Sequence, residues 1–282
     1  MIYRTLGKTG IHASAIAFGG IMLNDKHPIE AAKLVNDAVN AGINYFDVAP
    51  TYGQAQFKLG PALAPHRNQI TLACKSHEKT AERVIAELEE SLRACQTDHF
   101  DLYQLHACDE QLDTVLGSGG ALEAIVKAKE QGKVLRIGFS CHRERSALYL
   151  MTQFPFDTFM HPINWANHIH NGKGELALKL AAQQNLGTLG LKALALRPLG
   201  DGEPKRFPNC WYMPIAENEP LAELALRFTL SRVHVAVTPG SEEMLSLMLK
   251  LIDRPGMGEP LTPEQMQTLM DEAAKVKPIF PD

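Results

Sequence analysis

The chain has 282 residues, 45% hydrophobic and 21% charged, with 21 glycines and 17 prolines. These proportions exclude a disordered, collagen-like or coiled-coil polypeptide and leave a globular protein long enough for one large domain over 1–282. The 32 acidic and 28 basic residues give a net charge of -4, and no Lys/Arg-rich block interrupts them, which argues against nucleic acid as a partner. No apolar run approaches the roughly 20 residues that a bilayer requires. The opening MIYRTLGKTG lacks the apolar stretch of a signal peptide. Cys74, Cys95, Cys108, Cys141 and Cys210 are scattered without a C-x-x-C pair. That spacing is expected of a reducing cytoplasm, not of a disulfide framework or an iron–sulfur cluster.

In chain order, the segment around YRTLGKTG reads as a small hairpin, followed by a first strand over 16–20 (IAFGG). Residues 28–40 carry apolar side chains at helical spacing, with Pro28 at the start and Gly42 as a stop. INYFDV is a second strand, 55–63 a short helix, ITLACK (70–75) a third strand and 80–94 a long amphipathic helix. FDLYQLH (100–106) is the fourth strand, 122–131 a helix, VLRIGFS (134–140) the fifth strand and 143–151 a helix. TFMHPI is the sixth strand, 175–184 a helix and LGLKALA (189–195) the seventh strand. A long connection over 197–218 breaks the rhythm before a helix at 219–230, an eighth strand VHVAVTP and a helix at 242–251. A last helix over 263–275 can be capped by Thr262. Eight strands, each followed by a helix, predict a (β/α)8 TIM barrel with an N-terminal β-hairpin and an extra C-terminal helix.

A barrel places its chemistry at the C-terminal ends of its strands. Asp47, Lys75 and His106 end the second, third and fourth strands, and Tyr52 follows Asp47 by five residues. Singly, Asp47 reads as a cap, Tyr52 as a loop aromatic and His106 as a core histidine; their repetition at matching positions points to one catalytic arc. A lysine beside the tyrosine is expected to favour the phenolate, with the aspartate anchoring the lysine and the histidine orienting a substrate oxygen. Such a cluster handles a proton at a carbonyl oxygen but supplies no electrons, so a reduction needs a hydride donor.

The segments LGKTGIHASAIAFGG, DVAPTYG, SLRACQTDHFDLYQLH, GKVLRIGFS, HPINW and LALRFTLS together resemble the aldo-keto reductase superfamily, in a less studied bacterial-type branch. The resemblance implies an NAD(P)H-dependent oxidoreductase interconverting an aldehyde or ketone and its alcohol. Its catalytic tetrad would fall on Asp47, Tyr52, Lys75 and His106, with Tyr52 as general acid. It also implies cofactor contacts at Gly20, Ile21, Asp47, Ser140, Cys141, Met160, Lys192, Pro239, Gly240 and Ser241. Cys141 and Met160 depart from the asparagine and glutamine that are usual there. NADP is the cofactor the resemblance favours. NAD is the alternative, because Glu242 and Glu243 set two carboxylates where a 2'-phosphate would lie.

Trp165, Trp211 and Tyr212 are candidate walls of the substrate pocket, the last two in the long connection. His161, His168 and His170 are not accompanied by a recognised zinc pattern, so no metal is expected. A metal-dependent barrel hydrolase and a nucleotide-binding redox sensor are the competing classes. The expected partner is a small-molecule carbonyl or alcohol substrate, and the expected state is a cytoplasmic monomer.

Overall fold

The computed structural model describes residues 1–280. Two short strands, β1 (Tyr3–Thr5) and β2 (His12–Ser14), pair antiparallel ahead of the first barrel strand. Eight parallel strands then close on themselves. They are β3 (Ile16–Gly19), β4 (Tyr45–Asp47), β5 (Thr71–Ser76), β6 (Leu102–Leu105), β7 (Ile137–Ser140), β8 (Thr158–Pro162), β9 (Gly187–Leu191) and β12 (Val235–Val237). Between β9 and β12 lies a second antiparallel pair, β10 (Ala195–Pro198) and β11 (Tyr212–Pro214). The fold is a (β/α)8 barrel.

The surrounding helices in the first half are α1 (Pro28–Asn40), α2 (Ala55–Leu63), α3 (Ala81–Ala94), α4 (Leu112–Leu116) and α5 (Ala121–Glu130). The second half adds α6 (Glu144–Gln153), α7 (Trp165–Asn171), α8 (Glu175–Gln183), α9 (Glu219–Leu230), α10 (Glu242–Ile252) and α11 (Pro263–Ala273). Local chemistry sets their starts. His27 and Glu30 form a capping box ahead of Pro28, and Thr262 does the same with Gln265 ahead of Pro263. Helices α4 and α7 are too short to show a helical period, and the sequence pattern did not indicate them. Among the described residues, no helix is long and apolar enough to cross a membrane.

The period-two pleat divides each strand's side chains between two cores. Ala17, Tyr45, Ala73, Leu102, Met160, Leu189, Val235 and Val237 pack together inside the barrel. Their neighbours Phe18, Phe46, Cys74, Tyr103, Phe139, Cys141 and Phe159 belong to the larger core beneath the helices. The N-terminal hairpin closes the bottom: Leu6 is fully buried and joins the inner cluster. Lys8 N donates to Asn185 O at 2.8 Å and Arg136 Nε to Thr9 O at 2.7 Å. Gly7 has φ +53°, and a Cβ there would lie 2.3 Å from the backbone nitrogen of Gly187. Only glycine admits this approach.

One expected strand is shorter than its apolar pattern. LGLKALA breaks after Leu191, because Lys192 takes φ +64° and turns the chain into β10. Asn164 holds this turn, donating from Nδ2 to Lys192 O at 3.0 Å and Ala195 O at 2.8 Å. The C-terminal segment runs back along the barrel. His170 Nε2 lies 2.9 Å from Ala273 O, and Asn167 Nδ2 donates to Phe280 O at 2.6 Å.

Candidate active site

A cleft of about 280 Å³ opens at the C-terminal ends of the strands. From the strands and the residues just beyond them come Gly19, Asp47, Lys75, His106, Ser140, Met160, Leu191 and Val237. Every one lies on the inward parity of its strand, in step with the inner core below. This is why chemistry-bearing residues scattered over the sequence share one mouth.

Asp47 and Lys75 are 2% and 1% exposed and form a buried ion pair through Oδ2. Lys75 also donates to Val48 O at 3.3 Å, and Gln104 Nε2 donates to Asp47 Oδ1 at 3.3 Å. Burial works against charge on Lys75, but Asp47 and Tyr52 outweigh it and raise the ammonium to about 12. The lysine is a fixed cation at neutral pH.

Tyr52 reaches this pair from the turn after β4. Its amide donates to Ala49 O at 3.0 Å. Gly53 follows at φ +58°, where a Cβ would lie 2.1 Å from Asn24 Oδ1. Lys75 Nζ stands 5.0 Å from the Tyr52 ring centroid, and the His106 ring meets that ring edge-on at 5.9 Å. Lys75 does pull the phenol's pKa down as expected, but the net shift is the opposite of the one expected. Burial dominates and raises Tyr52 above its ordinary value, with Lys75 pulling the other way. The hydroxyl therefore keeps its proton at neutral pH, which suits an acid.

Burial, then the positive charge of Lys75, pushes His106 well below its usual range, so the ring is neutral. Its backbone amide donates to Ser76 O at 2.8 Å, while its buried Nδ1 has no partner among the described residues. The ring stays available to a ligand.

Other expected site residues divide. Ile21, Ser140, Met160, Lys192, Pro239, Gly240, Trp211 and Tyr212 line the cleft. Cys141 does not: it takes the outward parity after Ser140, is fully buried, and lies 3.7 Å through Sγ from His161 Nδ1. Gly20 packs its backbone on that of Asp47, outside the lining. Ser241 likewise stays outside, as the N-cap of α10 that accepts from Met244 N. Trp165 is no pocket wall. It is fully buried in the outer core, and its Nε1 donates to Ala195 O at 3.2 Å. Gly19, His142, Leu191, Asn209, Val237 and Thr238 line the cleft without having been singled out. Strand parity could have identified Gly19, Leu191 and Val237; the loop residues carry no such signal.

The two carboxylates after β12 are both paired. Glu242 meets Lys26 at 2.6 Å and Glu243 meets Arg206 at 2.9 Å. Arg206 also meets Glu217 at 2.5 Å, so two cations face three carboxylates here and the repulsion expected against a 2'-phosphate is only partly offset. Arg197, by contrast, is held by Glu203 within the long connection, at 2.7 Å and 2.8 Å. Among the described residues, no three His, Cys, Asp or Glu side chains group as metal ligands.

A family model described as "Aldo/keto reductase family" matches residues 15–202, about two thirds of the chain and all four residues of the buried cluster. The chain belongs to the aldo/keto reductase family. That is a family of oxidoreductases that use nicotinamide cofactors on small carbonyl compounds. Aldo-keto reductase YhdN of Bacillus subtilis is 31% identical over 160 residues, covering 50% of this chain and 47% of that protein. L-galactose dehydrogenase of Arabidopsis thaliana is 26% identical over 261 residues, covering 83% and 81%. In fold, this aldo/keto reductase is similar to the holo form of an aldo-keto reductase from Bacillus halodurans, with a TM-score of 0.74 at 24% identity and 96% coverage of both chains. Its cleft fits a nicotinamide group on its own evidence. Met160, Leu191 and Val237 give apolar walls, Ser140 a hydroxyl, and the orphaned His106 Nδ1 a polar atom in want of a partner.

Proposed function

We propose that this aldo/keto reductase reduces an aldehyde or ketone to its alcohol, with NADPH as the preferred hydride donor. The observation that carries the reading is the position of Tyr52, above the buried Lys75–Asp47 pair and edge-on to His106. The chemistry a bound reduced nicotinamide would supply is a hydride for the carbonyl carbon. Tyr52 gives its phenolic proton to the carbonyl oxygen as negative charge grows there. Lys75 stabilises the phenolate left behind, and Asp47 holds Lys75 in place and balances its charge between turnovers. His106, neutral, donates a hydrogen bond that orients the carbonyl oxygen.

Ser140, Met160 and Ile21 would hold the nicotinamide end, and the backbone of Pro239, Gly240 and the start of α10 the phosphates. Lys26 and Arg206, now paired with Glu242 and Glu243, are the side chains that would turn to a 2'-phosphate. The same reading takes 1–282 as one catalytic barrel acting as a cytoplasmic monomer, in keeping with its buried, unpaired cysteines. The test is a spectrophotometric assay of NADPH and NADH consumption against a panel of aldehydes and ketones. Consumption that depends on the carbonyl compound and is faster with NADPH is expected. A protein that consumes neither nucleotide with any carbonyl compound overturns the reading.

A further inference from the structure

Gln104 is fully buried on β6 and stands outside the lining of the cleft, so no substrate touches it. Register sets its neighbours. It pairs with Lys75 on β5 and with Gly138 on β7, and its amide reaches past Lys75 to Asp47 on β4. A carboxylate can only accept, so the amide must present its nitrogen there; Nε2 donates to Asp47 Oδ1 at 3.3 Å. Gly138 leaves room for this reach. A Cβ there would lie 3.1 Å from Gln104 Cγ and 2.1 Å from Thr158 Oγ1.

The three N–H groups of Lys75 have to be shared among several acceptors. Asp47 Oδ2 takes one and Val48 O, at 3.3 Å, takes a second. Two acceptors compete for the third: the other oxygen of Asp47 and the hydroxyl of Tyr52. Lys75 Nζ lies 5.0 Å from the Tyr52 ring centroid. Burial raises the Tyr52 phenol, and Lys75 opposes that rise by its charge and by a hydrogen bond. A carboxylate oxygen with no donor of its own would draw the lysine more strongly than a neutral hydroxyl does. Gln104 fills that oxygen.

We propose that Gln104 is a positioning residue: by occupying Asp47 Oδ1 it reserves the third N–H of Lys75 for Tyr52. The inference rests on the carbonyl-reductase reading above, in which Tyr52 gives up its proton and becomes a phenolate. At that moment the reserved N–H meets the developing negative charge and stabilises it. Without Gln104, Lys75 closes on both oxygens of Asp47, and the phenolate forms with one donor fewer.

The test measures kcat and KM for the reduction of 4-nitrobenzaldehyde by NADPH in wild type, Gln104→Met and Gln104→Asn. Methionine keeps the length of the side chain without a donor. Asparagine keeps the amide but withdraws it from Asp47 by one carbon. Rates are expressed per NADPH site titrated by fluorescence, which removes any misfolded fraction. In both variants kcat is expected to fall about tenfold or more, the worth of a hydrogen bond to a charged group, with KM little changed. The same substitutions made in Tyr52→Phe should cost almost nothing further, because no phenolate forms there. A kcat unchanged from wild type overturns the proposal. So does an equal fall in the Tyr52→Phe background, which gives Gln104 a merely structural role.

If wild type reduces neither this aldehyde nor any other carbonyl compound of the panel, the reductase reading fails. Gln104 is then judged without turnover, by nuclear magnetic resonance of isotope-labelled lysine. Tyr52→Phe should move the Lys75 Nζ resonance where Gln104 is present and leave it in place in Gln104→Met. Any other pattern overturns the proposal.

Discussion

Gln104 Nε2 lies 3.3 Å from Asp47 Oδ1, while Lys75 takes Oδ2 of the same carboxylate. Each oxygen of this buried anion thus has its own donor. Gln104 is fully buried on the inward face of β6, and its Cγ approaches within 3.1 Å of where a Cβ on Gly138 would lie. Packing therefore fixes the amide that steadies Asp47.

Replacing Gln104 by leucine keeps the volume but leaves Asp47 Oδ1 without its donor. The expected cost is about 1–3 kcal/mol of stability, the penalty of an unsatisfied buried acceptor. Urea denaturation measures it. A Gln104→Leu protein as stable as wild type would show that the amide does not support the carboxylate.

Tyr52→Phe removes the proton donor and little else, since the ring's contacts with Lys75 and His106 remain. Turnover of a carbonyl substrate should fall by about 10²–10⁴-fold, the range for a lost general acid. NADPH binding, followed by fluorescence titration, should persist. Normal reduction by this variant would remove Tyr52 from the role of acid.

Stability should decline on acidification below about pH 6.5, where free histidine begins to protonate. His161 is fully buried, and that burial, only partly opposed by its bond to Cys141 O, holds it at about 3; His106 is likewise held well below its usual range. Both stay neutral in the folded state while the unfolded chain takes up protons, so the stability they contribute is lost as pH falls. For His161 the slope is about 1.4 kcal/mol per pH unit between these limits. Urea denaturation of His161→Leu at neutral and mildly acidic pH should show a shallower decline than wild type. Equal slopes would mean that His161 is protonated in the folded protein.

Lys26 and Arg206 pair with the two carboxylates at the start of α10. Changing both to alanine should weaken NADPH binding about five- to thirtyfold, taking each partly exposed charge at roughly 0.5–1 kcal/mol. NADH, which lacks the 2'-phosphate, should lose little. Equal losses for the two nucleotides would place the phosphate elsewhere.

The barrel was legible because its strand–helix alternation is local. DVAPTYG, ITLACK and LYQLH each carried a polar residue at the same place in the repeat; inward parity brought Asp47, Lys75 and His106 together, and the turn after β4 added Tyr52. Trp165 and Trp211 looked alike as loop aromatics. Their fates differ because Trp165 starts α7 facing the outer core, whereas Trp211 stays 46% exposed on the β10–β11 hairpin against Phe280. Cys141 was misplaced by one step of parity, enough to turn it from the cleft to the helices.

Local chain chemistry already carries the barrel, the residues that end its strands and the charges near α10. Periodicity and strand position express those in a single stretch of chain. Which charges are matched depends on the folded arrangement. Glu242 and Glu243 find Lys26 and Arg206, and Asp47 finds Lys75. That arrangement also reversed the expected shift of Tyr52, because the cost of burying a phenolate outweighs the pull of one neighbouring ammonium. Both outcomes depend on distance and burial, and those exist only once the chain has folded.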